Sequence, residues 1–289
     1  MWKMLYILEI AGTGRATKTE TTMAGAGKSP GYARNPDYMI EFEPSPRRVR
    51  VKFAGETVAD TLDARLMRES RHVPIYYFPR EDVRMDLFTA TDHHSHCPYK
   101  GDASYWSLSA GFGVAENVMW SYAEPFDEVL KIGNYVAFYW DRMESWWEED
   151  EEIFVHARDP KKRVDVVLSH RPVTVVLGGE TVAETTNARF VFETNHQTRY
   201  YIPAGDVRMD LLRESKTRTR CPYKGIASYF SATVEGKEFD DIAWTYADPI
   251  DECPRIKDLI CFFDENVGAT MVDGAEIEKV ETKWTRPPP

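Results

Sequence analysis

The chain is short of basic charge, of cysteine and of long apolar runs, and each shortage removes a class of function. Lysine and arginine total 36 against 47 acidic residues, a formal net charge of −11. Nucleic acid and anionic lipid both need a basic field to dock on, so neither is an expected partner. Four cysteines occur in 289 residues, at spacings unlike a secreted disulfide scaffold, which points to reduced thiols and a cytoplasmic setting. The apolar run at Met1 to Ile10 is broken by Glu9, and no cleavage site of small residues clearly follows it. No transmembrane span is expected.

What the chain has in abundance is itself. Cys97-Pro98-Tyr99-Lys100-Gly101 returns as Cys221-Pro222-Tyr223-Lys224-Gly225, an offset of 124. At that offset Val83-Arg84-Met85-Asp86-Leu87 lands on Val207-Arg208-Met209-Asp210-Leu211, and Trp120 with Tyr122 lands on Trp244 with Tyr246. The length fits two domains, each able to bury a core. The expected division is a disordered lead-in over residues 1–30, copies over 31–155 and 156–280, and a mobile tail over 281–289 that ends in three prolines. Met1 and Met23 are both candidate starts. Gly25-Ala26-Gly27-Lys28-Ser29 resembles the tail of a phosphate loop, but Thr22 stands where the first glycine belongs and Pro30 where the helix should begin. A nucleotide loop is rejected there.

Val49, Val51 and Phe53 alternate with Arg50 and Lys52, as Val173, Val175 and Leu177 do with their neighbours, which predicts a half-buried strand opening each copy. Short strands follow at residues 57–59, 65–67 and 76–79, then a helical turn within 80–87 and a polar loop over 88–96. Aromatic strands are predicted at 103–107 and 118–122, a short helix over 126–132 and a last strand at 136–140. Trp146-Trp147 and the acidic run from Glu148 to Glu152 read as a solvated connection between copies. The whole is an all-β protein of two tandem antiparallel domains with short helical turns.

The anchor pentapeptide, the Tyr76-Tyr77-x-Pro79 strand, the Asp82-Val83-Arg84-x-Asp86 segment and Trp120-x-Tyr122-x-x-Pro125 together resemble the domain of unknown function family numbered 427, in its tandem form. The link from Phe154 to Pro160, followed by Arg163-Val164-Asp165-Val166, is similar to that form too, so the resemblance spans about Gly31 to Phe263. It implies a β-tent-like fold of two antiparallel sheets with an aromatic-walled ligand pocket between them. Many β-tent domains hold zinc between two Cys-x-x-Cys pairs. This chain has neither pair, so no structural metal carries over. The nucleotidyltransferase label sometimes given to the family finds no Gly-Ser turn with paired aspartates here.

Several residues are candidates for chemistry. Cys97 and Cys221 sit at a turn beside Lys100 and Lys224, where a thiolate could act as a nucleophile or ligand, or the thiol could simply pack, and the two lysines could grip an anionic group or stand exposed at the turn. His72 and His196 match between copies and offer each cysteine a partner. His93, His94 and His96 next to Cys97 invite a metal, but the second copy has Thr217, Arg218 and Arg220 there, so the cluster reads as a polar loop and no metal is expected. Arg84 with Asp86, and Arg208 with Asp210, are either ligand-orienting sets or internal ion pairs. Tyr77, Tyr105, Trp120 and Tyr122, with Tyr201, Tyr229, Trp244 and Tyr246, are polar-tipped aromatics that would line a core or a ligand cleft. Trp106 becomes Phe230 in the second copy, which suits packing. The leading expectation is a small polar or anionic molecule bound in each domain. A cysteine-dependent enzyme and an interaction protein are the alternatives, with cofactor and protein partners open.

Overall fold

A computed structural model describes residues 25–286. The first copy contains β1 (Ile40–Pro44), β2 (Val49–Phe53), β3 (Glu56–Thr61), β4 (Arg65–Glu69), β5 (Ile75–Pro79), β6 (Phe88–Cys97), β7 (Gly101–Ala110), β8 (Gly113–Ser121), β9 (Tyr135–Phe138), β10 (Ser145–Glu148) and β11 (Glu151–Ile153). Seven of these form an antiparallel sheet in the order β1-β4-β5-β9-β8-β7-β6, and four form a smaller one, β11-β10-β2-β3. The second copy contains β12 (Val164–Ser169), β13 (Val173–Leu177), β14 (Glu180–Thr185), β15 (Ala188–Glu193), β16 (Arg199–Pro203), β17 (Leu212–Cys221), β18 (Gly225–Val234), β19 (Lys237–Thr245), β20 (Leu259–Phe262), β21 (Ala269–Val272) and β22 (Ala275–Glu276). It repeats the sheets as β12-β15-β16-β20-β19-β18-β17 and β14-β13-β21-β22. The expected all-β tandem architecture holds, and the described helical pieces are short, with none long and apolar enough to cross a membrane.

Each large sheet buries both faces, because successive side chains on a strand point to opposite sides. Tyr76 and Phe78 of β5 join Val49 and Val51 of β2 and Trp146 of β10 in the core between the two sheets. Tyr77, between them in sequence, enters a second cluster on the other face, capped by Phe126, Val129 and Ile132. The β2–β3 hairpin turns on Ala54 and Gly55, both at positive φ (49° and 78°), the combination a tight right-twisted hairpin needs.

Five local expectations change. Residues 88–96 form edge strand β6, not a loop; nearly all its side chains face solvent, so no apolar alternation marks it. Trp146 and Trp147 lie in β10, which pairs with β2 and β11, so they complete the small sheet of the first copy and do not link the copies. Pro30 does open a helical turn, α1 (Pro30–Arg34), whose N-cap is Ser29, proline being favoured at that position. Residues 25–30, part of the expected lead-in, are docked: Ala26 N–H donates to the Pro125 carbonyl (3.1 Å), and Ser29 donates its N–H to Glu128 (3.1 Å) and its hydroxyl to the Pro98 carbonyl (2.8 Å). The rest of that lead-in, with Thr22 and the choice between Met1 and Met23, falls outside the described residues. At the other end Thr282 donates to Glu265 (2.7 Å) and Asn266 to the Trp284 carbonyl (3.0 Å), which fastens the start of the expected tail.

The repeated pentapeptide owes its sequence to a buried ion pair. The Lys100 ammonium meets Oε2 of Glu69, at the end of β4, and both residues are buried. The Tyr38 hydroxyl donates to the other carboxylate oxygen (2.8 Å), and the Tyr38 ring stacks on Tyr99 at 3.6 Å. In the second copy Lys224 meets Glu193, and Lys162 replaces Tyr38 at 2.7 Å, its ammonium lying 4.9 Å from the Tyr223 ring. Gly101 and Gly225 hold φ of 103° and 107°, and a Cβ at Gly225 would meet the Asp248 carbonyl at 3.1 Å. A side chain is therefore excluded where the turn enters the sheet.

Two outcomes follow from these pairs. Removing one partner strands a buried charge, so Lys100→Met should cost about 3–5 kcal/mol in urea unfolding, and adding Glu69→Leu should restore most of it. Burial pushes the Glu193 carboxyl up, but Lys224 and Lys162 outweigh it and hold the group below its usual 4.5. A carboxylate depressed on folding gives stability above its unfolded value and loses it as pH falls through the folded one. Hydrogen exchange of second-copy peptides should therefore show protection falling from about pH 4.5 downward, and Glu193→Gln should flatten that fall while lowering protection at neutral pH.

Candidate functional site

The predicted aromatics come together, but not between the sheets. Tyr77 from β5, Tyr105 from β7, Trp120 from β8 and Tyr122 just beyond it share the face of the large sheet turned away from the small one. The cleft expected between the sheets is filled by a separate core of Val, Phe and Trp. Strand pairing sets the cluster: Tyr105 lies opposite Trp120, and Trp120 and Tyr77 both lie opposite Ala137 of β9. A small residue at that central position leaves room for the rings on either side. Cys97 packs against the same cluster, and the Lys100 ammonium lies 5.8 Å from the Tyr122 ring.

The second copy builds the same frame. Trp120 and Tyr77 are 6.4 Å apart at 86°, and Trp244 and Tyr201 are 6.2 Å apart at 88°. Each indole N–H is directed at the phenol oxygen, at 3.4 and 3.0 Å. Burial pushes both phenols far up, so they stay neutral donors and acceptors. Tyr105 and Tyr229 each share a hydrogen bond with a β6 or β17 hydroxyl, Ser95 at 2.7 Å and Thr219 at 2.8 Å. A further ring completes each frame: Tyr139 lies 4.7 Å from Trp120 at 47°, and Phe263 lies 4.5 Å from Trp244 at 50°.

What covers the frame differs. In the first copy Trp120 is half-buried and Tyr139 is 37% exposed. In the second, Trp244 and Phe263 are 8% and 6% exposed, because the guanidinium of Arg199 lies over both rings at 5.5 and 5.7 Å. Arg199 is gripped by Glu265 (2.6 and 2.8 Å) and Asp264 (3.2 Å). Burial pushes the Asp264 carboxyl up to about 6. At the offset of 124, Ile75 stands for Arg199, Trp140 for Asp264 and Asp141 for Glu265. Near the open frame, burial, a hydrogen bond with Tyr105 and the Asp141 charge push the Tyr139 phenol up to about 12, although Arg142 opposes this.

Sequence reasoning missed Tyr139, Phe263, Arg199 and the glutamates Glu69 and Glu193. The repeat offset carries a signal for each: an aromatic at 139 and 263, a glutamate at 69 and 193, and an arginine in one copy where the other has isoleucine.

The remaining candidates disperse. Arg84 grips Asp86 through two hydrogen bonds (2.9 and 2.8 Å), as Arg208 grips Asp210 (2.8 and 2.7 Å), and all four are exposed on turns apart from the aromatics. Arg84 N–H donates to the Val58 carbonyl (2.9 Å), so its turn is tied to the small sheet. Cys97 and Cys221 are half-buried, and the ammonium groups of Lys100 and Lys224 turn to glutamates. His196 approaches Glu193 at 3.8 Å, and His72 is exposed. His96 pairs with Asp102 (2.6 Å) while His93 lies 4.5 Å from Tyr105, and His94 lies opposite Ser104 in the β6–β7 pairing. Among the described residues no group of three or more His, Cys, Asp or Glu is placed to hold a metal. Cys253 and Cys261 are buried, and burial pushes the Cys253 thiol up to about 11.

Two cavities open where the copies meet, away from the aromatic frames. One of about 220 Å³ is lined by Arg47, Arg158, Lys162, Tyr223 and Glu252, and one of about 370 Å³ by Arg47, Arg158 and the acidic run after Trp147. Their charges are engaged with each other: Arg158 with Glu252 (2.6 Å), Arg47 with Glu148, and Lys162 with Glu193.

Comparison with the curated proteins finds no match. A family model described as a domain of unknown function (DUF427) matches residues 41–149 and again 165–273. Each match takes in strands of both sheets of one copy and its aromatic frame, and together they cover most of the chain. The chain therefore belongs to the family of the domain of unknown function 427, in two tandem copies.

Proposed function

We propose that this protein binds a small molecule on the open aromatic frame of its first copy, formed by Trp120, Tyr139 and Tyr105. The observation that carries this is the difference between two near-identical ring frames: in the second the chain's own Arg199 lies over both rings, while in the first Arg142 lies over Tyr139 alone and Trp120 stays half-buried. Aromatic surface kept partly in water where the fold can bury it is the mark of a recognition site. Tyr105, Ser95 and His93 supply polar groups beside the rings. Anion capture by Lys100 or Lys224 is not part of this reading, because buried carboxylates hold both ammonium groups. Four free thiols support a cytosolic setting for it.

The test is a metabolite library screened by tryptophan fluorescence and native mass spectrometry. A ligand should be found whose affinity falls at least about tenfold in Trp120→Ala, the loss of one ring stack plus its buried area. Trp244→Phe should leave that affinity unchanged. A library without a hit, or hits indifferent to Trp120, would remove the proposal.

A further inference from the structure

Resting on that reading, we infer that the ligand of the first copy is a compact organic cation, a guanidinium, amidinium or substituted ammonium group, seated over Trp120 and Tyr139. The two frames agree within 0.2 Å in the Trp–Tyr and Trp–ring separations, 6.4 against 6.2 Å and 4.7 against 4.5 Å. In the second copy the space over the two rings is taken by a planar cation on the side chain of Arg199. The first copy has Ile75 at that position, half-buried and packed against the cluster. An isoleucine carries no charge and is shorter than an arginine, so it does not place a cation over the indole as Arg199 does in the second copy, and Trp120 stays only half-buried.

The chemistry of the surface agrees. Indole and phenol rings attract a cation over their faces, tryptophan most strongly. Tyr77, whose phenol accepts from the Trp120 indole N–H, adds electron-rich surface behind it. Of the two carboxylates that grip Arg199, the first copy keeps one, Asp141 in place of Glu265, close enough to act on the Tyr139 phenol. Cationic groups also face this region, and each is engaged. Arg142 lies 5.2 Å from the Tyr139 ring and donates to the Glu116 carbonyl (2.6 Å), and Arg65, opposite Tyr77 in register, donates to the Tyr135 hydroxyl (3.2 Å). The His93 ring lies 4.5 Å from Tyr105 beside them.

The experiment compares phenylguanidine, a cation at neutral pH, with phenylurea, its neutral counterpart of similar shape. Binding to the full chain is followed by calorimetry and by the indole N–H resonance of Trp120. The expected result is about tenfold tighter binding of the cation. That binding should be lost in Trp120→Ala and in Ile75→Arg, which places the second copy's cation in the first copy's site. Equal affinity, or preference for phenylurea, overturns the cation assignment while leaving a small-molecule site at Trp120 standing. Binding of neither probe also overturns it, and the library screen then decides the broader proposal separately. Cation binding unchanged by both substitutions places the site elsewhere and overturns the inference as well.

Discussion

The fold of each copy turns on one buried ion pair. Glu69 lies on β4 and Lys100 at the turn from β6 into β7. In the sheet order four strand spacings separate β4 from β7, about 19 Å across a flat sheet. A lysine and a glutamate cannot span that distance, so contact between them requires the sheet to curl. The aromatic cluster occupies the face that the pair reaches across. Satisfying the carboxylate, with Tyr38 in one copy and Lys162 in the other, thus fixes the curvature that brings rings from β5, β7 and β8 into one frame. The identical pentapeptide in both copies follows from that geometry: a lysine to cross the face, and a glycine where no Cβ fits beside the next segment.

Legibility in the sequence followed the strength of the local pattern. The duplication, the strands with apolar alternation and the aromatic set were readable, because period-2 burial and a fixed offset leave direct marks. Strand β6 was not, since an edge strand exposed on both faces has no reason to alternate. Trp146 and Trp147 read as a linker because an acidic run follows them; only the pairing with β2 shows that Trp146 closes a core. The Glu69 partner of Lys100 was hidden by a separation of 31 residues, across which no local rule connects a charge to its counterion.

The face on which the aromatics sit was the point of greatest consequence. Resemblance placed the rings between the sheets, and alternation alone is neutral between the two faces of a sheet buried on both. What decides it is the parity of β5: Tyr76 and Phe78 point at the small sheet, so Tyr77 cannot. Once Tyr77 is assigned outward, pairing across Ala137 carries Trp120 with it, and pairing from Trp120 carries Tyr105. A single residue's parity orients the whole site.

The two copies diverge in a coordinated way that separates frame from cover. Placing an arginine over buried rings is costly unless its charge is met, and carboxylates in the same place are costly without the arginine. The second copy carries all three, Arg199, Asp264 and Glu265, and steadies Glu265 further with Gln197 (3.1 Å) and with Thr282 from its C-terminal segment (2.7 Å). The first copy replaces the set with Ile75, Trp140 and Asp141, and Trp140 is drawn off to stack on Trp146 at 4.4 Å. Three positions separate the two arrangements. The frame beneath is unchanged to a few tenths of an ångström. A surface whose rings keep their separations while its cover is exchanged as a unit has its shape set by the sheet, so the cover, and not the rings, is what distinguishes the copies.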